Sequence, residues 1–203
     1  MKKLIIPILI IISILSSCSD DIFFENDRIT GTGEIRTEVI PVSDFSSIDL
    51  ECVANVYVNV GTPREVRFTA YENILPVMEA RVIGDELLLQ FNTDNEINTD
   101  KEIRIDITTE TLEKVTLSGV GNFTLTGPSQ QSLDIELNGV GNIFAYELPV
   151  YHATVEINGV GNVEVRSKET LYVDIDGMGN VYYLEDPVII ADISGMGEVL
   201  RGQ

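Results

Sequence analysis

The sequence predicts an all-β protein, specifically a single-stranded parallel β-solenoid of the right-handed β-helix type with rungs of 18–20 residues. Three observations lead to this prediction. A Gly-apolar-Gly motif occurs five times at nearly constant spacing, apolar and polar residues alternate around each motif, and the segments between motifs are too short for a helix. The right hand follows by analogy from the crossover rule for parallel strands.

The spacing of the motifs predicts stacked units of equal length. The first glycines of the five motifs are separated by 20, 20, 18 and 18 residues. Regular periods of this size are typical of repeat architectures, in which equivalent positions face each other from unit to unit. The first glycines are Gly119, Gly139, Gly159, Gly177 and Gly195.

The residues beside each motif alternate with a period of two. In "VTLSGVGNFTL" the apolar Val115, Leu117 and Phe123 have apolar counterparts in the other four segments. The intervening position, Thr116, is occupied there by an acidic residue. This alternation is typical of strands with one buried face, and parallel strands stack at about 4.8 Å.

The glycines and the following asparagine are interpreted as structural turn residues. If the strand continues through the motif, both glycines point inward, where the missing side chain permits a sharp bend. The asparagines then stack as a ladder of amides, which Glu198 interrupts in the last motif. The predicted turn residues are Gly119, Gly121, Asn122, Gly139, Gly141, Asn142, Gly159, Gly161, Asn162, Gly177, Gly179, Asn180, Gly195 and Gly197.

The residue between the two glycines has the opposite parity to the core positions. A strand that bends through both glycines would therefore point this residue outward, as part of a continuous apolar stripe for a partner. A tight turn at each glycine would instead place it in the core. The five residues concerned are Val120, Val140, Val160, Met178 and Met196.

The first half of the chain carries the same pattern less regularly. "IDLECVANVYV", residues 48–58, matches the motif columns, and residues 66–74 keep Asn73 in phase. Gly84-Asp85 predicts a hairpin turn, residues 92–101 read as a polar loop, and residues 103–107 read as a strand. One continuous domain is expected over residues 30–203.

The N-terminus predicts a lipoprotein signal peptide over residues 1–17. Two lysines precede a short apolar run, and Leu15-Ser16-Ser17-Cys18 resembles a bacterial lipobox, which implies lipid attachment at Cys18. The alternative is an ordinary secretory signal with an incidental cysteine. Residues 18–29 would form a lipid-anchored tail, and Asp20-Asp21 resembles a tag for the cell surface in some Gram-negative groups and for inner-membrane retention in others.

Charge and composition argue against several kinds of function. The net charge of −20 argues against binding nucleic acid, and it restricts membrane contact to the lipid anchor. His152 is the only histidine, so the sequence offers few residues for a zinc site or for histidine-dependent catalysis. We expect no catalytic residues, no metal and no cofactor.

An acidic column in the motif segments has two interpretations. One carboxylate per unit should face outward about 5 Å from the next, which is unfavourable for like charges. A solvated acidic face is the favoured interpretation, and bridging by a divalent cation is the alternative. The carboxylates are Glu136, Glu156, Asp174 and Asp192.

The chain resembles the head GIN domain family, the putative auto-transporter adhesins. The resemblance covers residues 30–200 and rests on "GTG" at 31–33, "FSSIDL" at 45–50 and the Gly-x-Gly-Asn series. It implies a secreted or lipid-anchored β-solenoid and supplies no catalytic residues. The family usually has Ser or Ala between the glycines, where this chain has Val or Met.

The sequence thus predicts a non-enzymatic, lipid-anchored binding module of the cell envelope, an adhesin that recognises a protein or a glycan. The expected location is the outer membrane, on the cell surface. Two alternatives remain: a structural envelope lipoprotein that associates with itself, including as a homo-oligomer, and a glycan-active enzyme that uses clustered carboxylates.

Overall fold

The computed structural model describes residues 28–203, which form strands joined by short turns. The first nine strands are β1 (Arg28–Thr30), β2 (Ile35–Ile40), β3 (Ser47–Leu50), β4 (Val53–Val60), β5 (Glu65–Tyr71), β6 (Met78–Ile83), β7 (Glu86–Phe91), β8 (Glu96–Asn98) and β9 (Arg104–Thr109). A 3₁₀ turn, Leu75–Val77, precedes β6. The other strands are β10 (Lys114–Leu117), β11 (Val120–Thr126), β12 (Gln130–Leu137), β13 (Val140–Ile157), β14 (Val163–Ile175), β15 (Val181–Leu184), β16 (Val188–Ile193) and β17 (Val199–Arg201).

The architecture is all-β, but the prediction of a single-stranded parallel β-solenoid is wrong. Fifteen of the strands form one mixed sheet that curls round the core into a nearly closed, barrel-like shape. Strand β5 runs antiparallel to β2 and to β9, and β6 runs antiparallel to β7. A period-two pattern shows which face of a strand is buried but not in which direction the neighbouring strand runs, so it could not exclude these antiparallel pairs.

Among the described strands, antiparallel pairing is limited to the pairs β2–β5, β5–β9 and β6–β7, and the strands that carry the glycine motifs pair in parallel. The long strand β13 pairs with β11 through its first half and with β12 through its second half, and β14 pairs along both halves of β13. Equivalent motif residues lie opposite each other, as Val120 does to Val140. The two long strands therefore join the two sides of the curled sheet.

The first half of the chain follows the motif pattern only in part. Residues 48–58 lie in register with the first motif, since Ile48 pairs with Val115 and Asn55 with Asn122. Residues 66–74 do not, because β5 is antiparallel and the Asn73 side chain instead bonds the backbone of Thr30 and Thr32. The hairpin predicted at Gly84-Asp85 is confirmed as the β6–β7 turn. The polar loop at 92–101 contains the short strand β8, which pairs with β1.

The core lies inside the curled sheet and consists of aliphatic side chains from alternate strand positions. Ile48, Val115, Ile135, Val155 and Val173 show the arrangement, as each is buried opposite its counterpart on the next strand. Such in-register apolar columns remove whole side chains from water, worth about 1.5–3 kcal/mol each. The fold therefore gains its stability from the interior and leaves the outer faces free to vary.

Candidate binding surface at the glycine motifs

The motif glycines allow neighbouring backbones to approach where the sheet bends. A Cβ built on Gly159 would lie 2.0 Å from the carbonyl oxygen of Gly139, and one built on Gly139 would lie 1.9 Å from that of Gly119. These oxygens accept the hydrogen bonds that hold adjacent segments together, as Val140 N donates to Gly119 O at 3.0 Å. The glycines are thus required by backbone contact along the sheet, whereas the sequence had suggested crowding by core side chains.

The second glycine of the first three motifs also has an unusual backbone conformation. Gly141 and Gly161 both have φ of 149°, and a Cβ on either would lie 1.6 Å or less from the carbonyl oxygen of the preceding motif. Side-chain-bearing residues rarely adopt positive φ. The bend and the close approach therefore require glycine for two independent reasons at this position.

The residue between the glycines lies at the surface in all five motifs. Its side chain is between 41% and 67% exposed, and consecutive members are paired by parallel bridges. Val53 is 52% exposed and pairs with Val120, so it adds a sixth member. We call this line the apolar stripe; its members are Val53, Val120, Val140, Val160, Met178 and Met196.

The apolar stripe is about 24 Å long, taking roughly 4.8 Å per strand. At the Val53 end it meets a depression of about 230 Å³ that the segment around Lys101 and Glu102 helps to line. Val53 was not assigned to the stripe from the sequence, because Cys52 and Ala54 stand where the glycines do in the later motifs. Its position in the matching "IDLECVANVYV" segment was the signal that could have identified it.

An asparagine ladder runs along one side of the apolar stripe. Asn55 Oδ1 accepts hydrogen bonds from Asn122 N at 3.0 Å and from Asn122 Nδ2 at 2.9 Å. Asn122 makes the same pair of contacts with Asn142, and Asn142 with Asn162. Each side chain thereby satisfies a backbone amide of the next strand, which the bend would otherwise leave without an acceptor.

The ladder changes at its far end. Asn162 Oδ1 accepts from Asn180 N, and Asn180 Oδ1 accepts from Glu198 N, each at 3.0 Å. The Asn180 side-chain amide turns instead toward the Tyr182 hydroxyl, 3.5 Å away. Glu198 is therefore bonded through its backbone, and its side chain takes no part in the ladder.

A second polar line borders the apolar stripe on the other side. Asn158 Nδ2 donates to Asn138 Oδ1 at 3.0 Å, and Ser194 bonds Asp176. All four residues are exposed. In cross-section the surface therefore has an apolar ridge, a glycine on each side of it, and a polar side chain beyond each glycine.

The acidic column lies on another face of the sheet, on strands β12, β13, β14 and β16. Glu136, Glu156, Asp174 and Asp192 lie opposite one another in sequence order. Lys114 Nζ lies 2.6 Å from a Glu136 oxygen and partly neutralises that end. No group of three or more His, Cys, Asp or Glu side chains within residues 28–203 is placed to hold a metal ion.

Asp49 extends this acidic face toward the N-terminal side. It pairs with Thr116, and its Oδ1 is buried without a hydrogen-bond partner. Burial raises the pKa of the Asp49 carboxyl, opposed by a hydrogen bond from Ser118. A buried carboxylate oxygen without a hydrogen-bond partner is unfavourable, so Asp49 lowers the stability of the folded protein at neutral pH.

His152, Cys52 and Cys18 are not members of the apolar stripe. His152 is in β13 and not in a loop, with Nε2 3.7 Å from Glu169. Cys52 is a buried free thiol whose pKa burial raises to about 12. Cys18, the predicted lipid attachment site, lies outside the described residues.

Within residues 28–203 no helix has the length and apolarity needed to cross a membrane.

An ordered line of exposed apolar residues outside the core is a feature that often marks an interaction surface. A family model described as "putative auto-transporter adhesin, head GIN domain" matches residues 44–135 and 118–187. The chain belongs to this family. No curated relative matches the sequence.

Solved structures of bacterial proteins resemble this chain to different degrees. A "putative adhesin" from Bacteroides fragilis aligns with a TM-score of 0.57 and 19% identity, over 86% of this chain and 100% of that chain. A "putative adhesin" from Parabacteroides merdae gives 0.46 and 17%, over 87% and 100%. A "putative lipid binding protein" from Parabacteroides distasonis gives 0.44 and 18%, over 87% and 100%. At these identities the first similarity establishes the fold alone.

Proposed function

We propose that this protein is a non-enzymatic, lipid-anchored adhesin of the cell envelope, which uses the apolar stripe to contact a protein or glycan partner. The observation that carries the proposal is the exposure of the six stripe residues in one register. A contiguous exposed apolar strip often marks an interaction surface, whereas scattered exposed apolar residues do not. Membership of the adhesin family supports a binding role over a catalytic one.

The chemistry of the stripe suits an adaptable contact. Four valines give a narrow, stiff ridge, and Met178 and Met196 add flexible thioether side chains at one end. The glycines beside the ridge leave its sides open, and the bordering amides supply donors and acceptors for a polar rim. Location at the cell surface is supported by the lipobox at residues 15–18 and by the adhesin family.

A paired substitution tests the proposal. Cells carrying the full-length protein would be screened against glycans and host proteins, and Val140→Asp with Val160→Asp should remove the captured ligands while the melting temperature stays close to wild type. The matched control is Val39→Asp with Ile83→Asp, since these two residues are similarly exposed but lie on β2 and β6. The proposal would be overturned if the stripe variant still captured every ligand and the control variant lost them.

A self-associating envelope protein is the second candidate, favoured by one observation. Among the strands of residues 28–203, β16 pairs only with β14, and its Val188 and Ile190 are exposed. An unpaired strand with apolar side chains can add a strand from another chain. Light scattering of the detergent-solubilised protein distinguishes the candidates, because a dimer that Ile190→Lys dissociates supports self-association and a monomer excludes it.

A further inference from the structure

We propose that a pocket formed by Tyr146, Glu164 and Tyr182 binds an alkylammonium group. The pocket lies on the outer face of strands β13, β14, β15 and β17 and has a volume of about 450 Å³, with Leu200, Arg201, Gly202 and Gln203 completing its wall. It is separate from the apolar stripe, and its test does not depend on the proposed function.

The position of the pocket follows from the register of the strands. Phe144 lies opposite Glu164, Glu164 opposite Tyr182, and Tyr182 opposite Leu200. The carboxylate is therefore set between two aromatic residues in one cross-strand column. Tyr146 reaches across the same face, because a Cβ on Gly202 would lie 2.2 Å from its hydroxyl oxygen.

The charges around the pocket leave one carboxylate without a counter-ion. Arg201 lies 2.7 Å from Asp186, and Arg166 lies 3.4 Å from Glu185. Glu164 has no hydrogen-bond or ion-pair partner within residues 28–203, and burial raises the pKa of its carboxyl. Partial burial of a carboxylate that lacks a partner is energetically unfavourable. A bound cation would stabilise the Glu164 carboxylate by a charge-assisted hydrogen bond.

Aromatic rings beside a carboxylate favour a cation over a neutral ligand. Organic cations bind against tyrosine rings with a gain that grows as the site loses water. Tyr146 and Glu164 line the same pocket, so one bound cation can contact the ring and the carboxylate together. Burial, and next the negative charge of Glu164, raise the pKa of the Tyr146 hydroxyl. The net charge of −20 would also concentrate cations near the protein.

Two sources share this chemistry: the lysine side chain of a protein partner and a quaternary ammonium such as choline. Full-length protein in detergent would be titrated by calorimetry with N-acetyl-lysinamide, choline and tetramethylammonium, at ionic strength held constant with sodium chloride. We expect at least one ammonium compound to bind. The compound that binds more tightly identifies the source.

Four variants test the assigned residues. Glu164→Gln should weaken ammonium binding by about tenfold or more, and Tyr182→Leu by roughly three- to tenfold, while Tyr182→Phe keeps the ring and stays within about threefold of wild type. The matched control is Glu156→Gln, which removes an exposed carboxylate from another face and should leave binding unchanged.

Melting temperatures confirm that each variant is folded. Wild-type affinity in Glu164→Gln, an equal loss in Glu156→Gln, or the absence of binding by all three ammonium compounds would each overturn the proposal. Binding of methyl glycosides without any ammonium compound would also overturn it, since the pocket would then be a sugar site.

Discussion

Asn122 and Asn142 are joined by two hydrogen bonds that end on a single oxygen. The backbone N of Asn142 donates to Asn122 Oδ1 at 3.0 Å, and Asn142 Nδ2 donates to the same atom at 3.1 Å. Asn142 in turn accepts from the backbone of Asn162. One side chain therefore connects three strands at the bend of the sheet.

Replacement of this side chain should destabilise the protein. Asn142→Ala leaves the half-buried N–H of Asn162 without its acceptor, which should lower the free energy of unfolding by about 1–3 kcal/mol. Urea denaturation measures the change. The control is Asn138→Ala, whose exposed side chain bonds only the Asn158 side chain and should cost about 0.5 kcal/mol or less. Equal costs for the two variants would show that the ladder does not support the bend.

The smallest addition to a motif glycine should be poorly tolerated. In Gly159→Ala the new Cβ would meet the carbonyl oxygen of Gly139 at 2.0 Å, and the backbone cannot withdraw without breaking the sheet. We expect a loss of about 3 kcal/mol or more, or failure to fold.

The control for this steric effect is Gly84→Ala in the β6–β7 turn. Gly84 has φ of 69° and no atom within 4 Å of a built Cβ, so alanine there meets only backbone strain. That strain should cost about 1–2 kcal/mol. Thermal denaturation of both variants distinguishes the two effects, and a melting temperature for Gly159→Ala equal to that of wild type would refute close approach at the motif.

Removal of the Asp49 charge should stabilise the protein at neutral pH. Because burial raises the folded-state pKa of Asp49 above its ordinary value of 3.8, the folded protein binds more protons than the unfolded chain in the range just above that value. Stability therefore falls as pH rises through this range. Asp49→Asn should raise the free energy of unfolding at pH 7, and its advantage should shrink as the pH falls through this range toward 3.8.

Chemical denaturation at pH 3, 5 and 7 measures this dependence. Asp174→Asn is the control, since Asp174 lies in the same acidic face but is exposed. A destabilised Asp49→Asn at pH 7 would mean that the bond to Ser118 outweighs the burial of the charge.

The predicted anchor can be tested independently of the fold. Cys18→Ser should abolish labelling of the protein by radioactive palmitate and leave unprocessed or soluble protein. Cys52→Ser, which removes the other cysteine, should leave labelling intact. Palmitate incorporation that persists in Cys18→Ser would show that Cys18 is not the acylated residue.

The sequence predicted the faces of the strands better than their directions. The columns around the motifs and in residues 48–58 do lie opposite each other, because identical spacing and residue types specify the same register. Asn73 fits the asparagine position of the motif in the sequence, yet β5, the strand that precedes it, runs antiparallel to β2. Its side-chain pattern is compatible with either direction, and only contacts distant in sequence decide between them.

The two candidate sites differ in how far they were visible in the sequence. The apolar stripe could be read from one position of a recurring motif, but the pocket at Tyr146, Glu164 and Tyr182 could not. Its residues form no recurring motif, and they meet only because β13, β14 and β15 pair in a particular register. A site formed by unlike residues in neighbouring strands gives no periodic signal.

Within each motif, the residues that hold neighbouring strands together are different from the residue that is exposed at the surface. The glycine carbonyls and the asparagine amides make the inter-strand bonds, while the side chain between the glycines makes none of these contacts. Mutations at Val120, Val140, Val160, Met178 and Met196 can therefore accumulate with little penalty in stability. Selection could diversify this line, as it does the tips of antibody loops, without altering the residues that hold the strands together. We therefore expect the residue between the glycines to vary more among close relatives than the glycines and asparagines beside it.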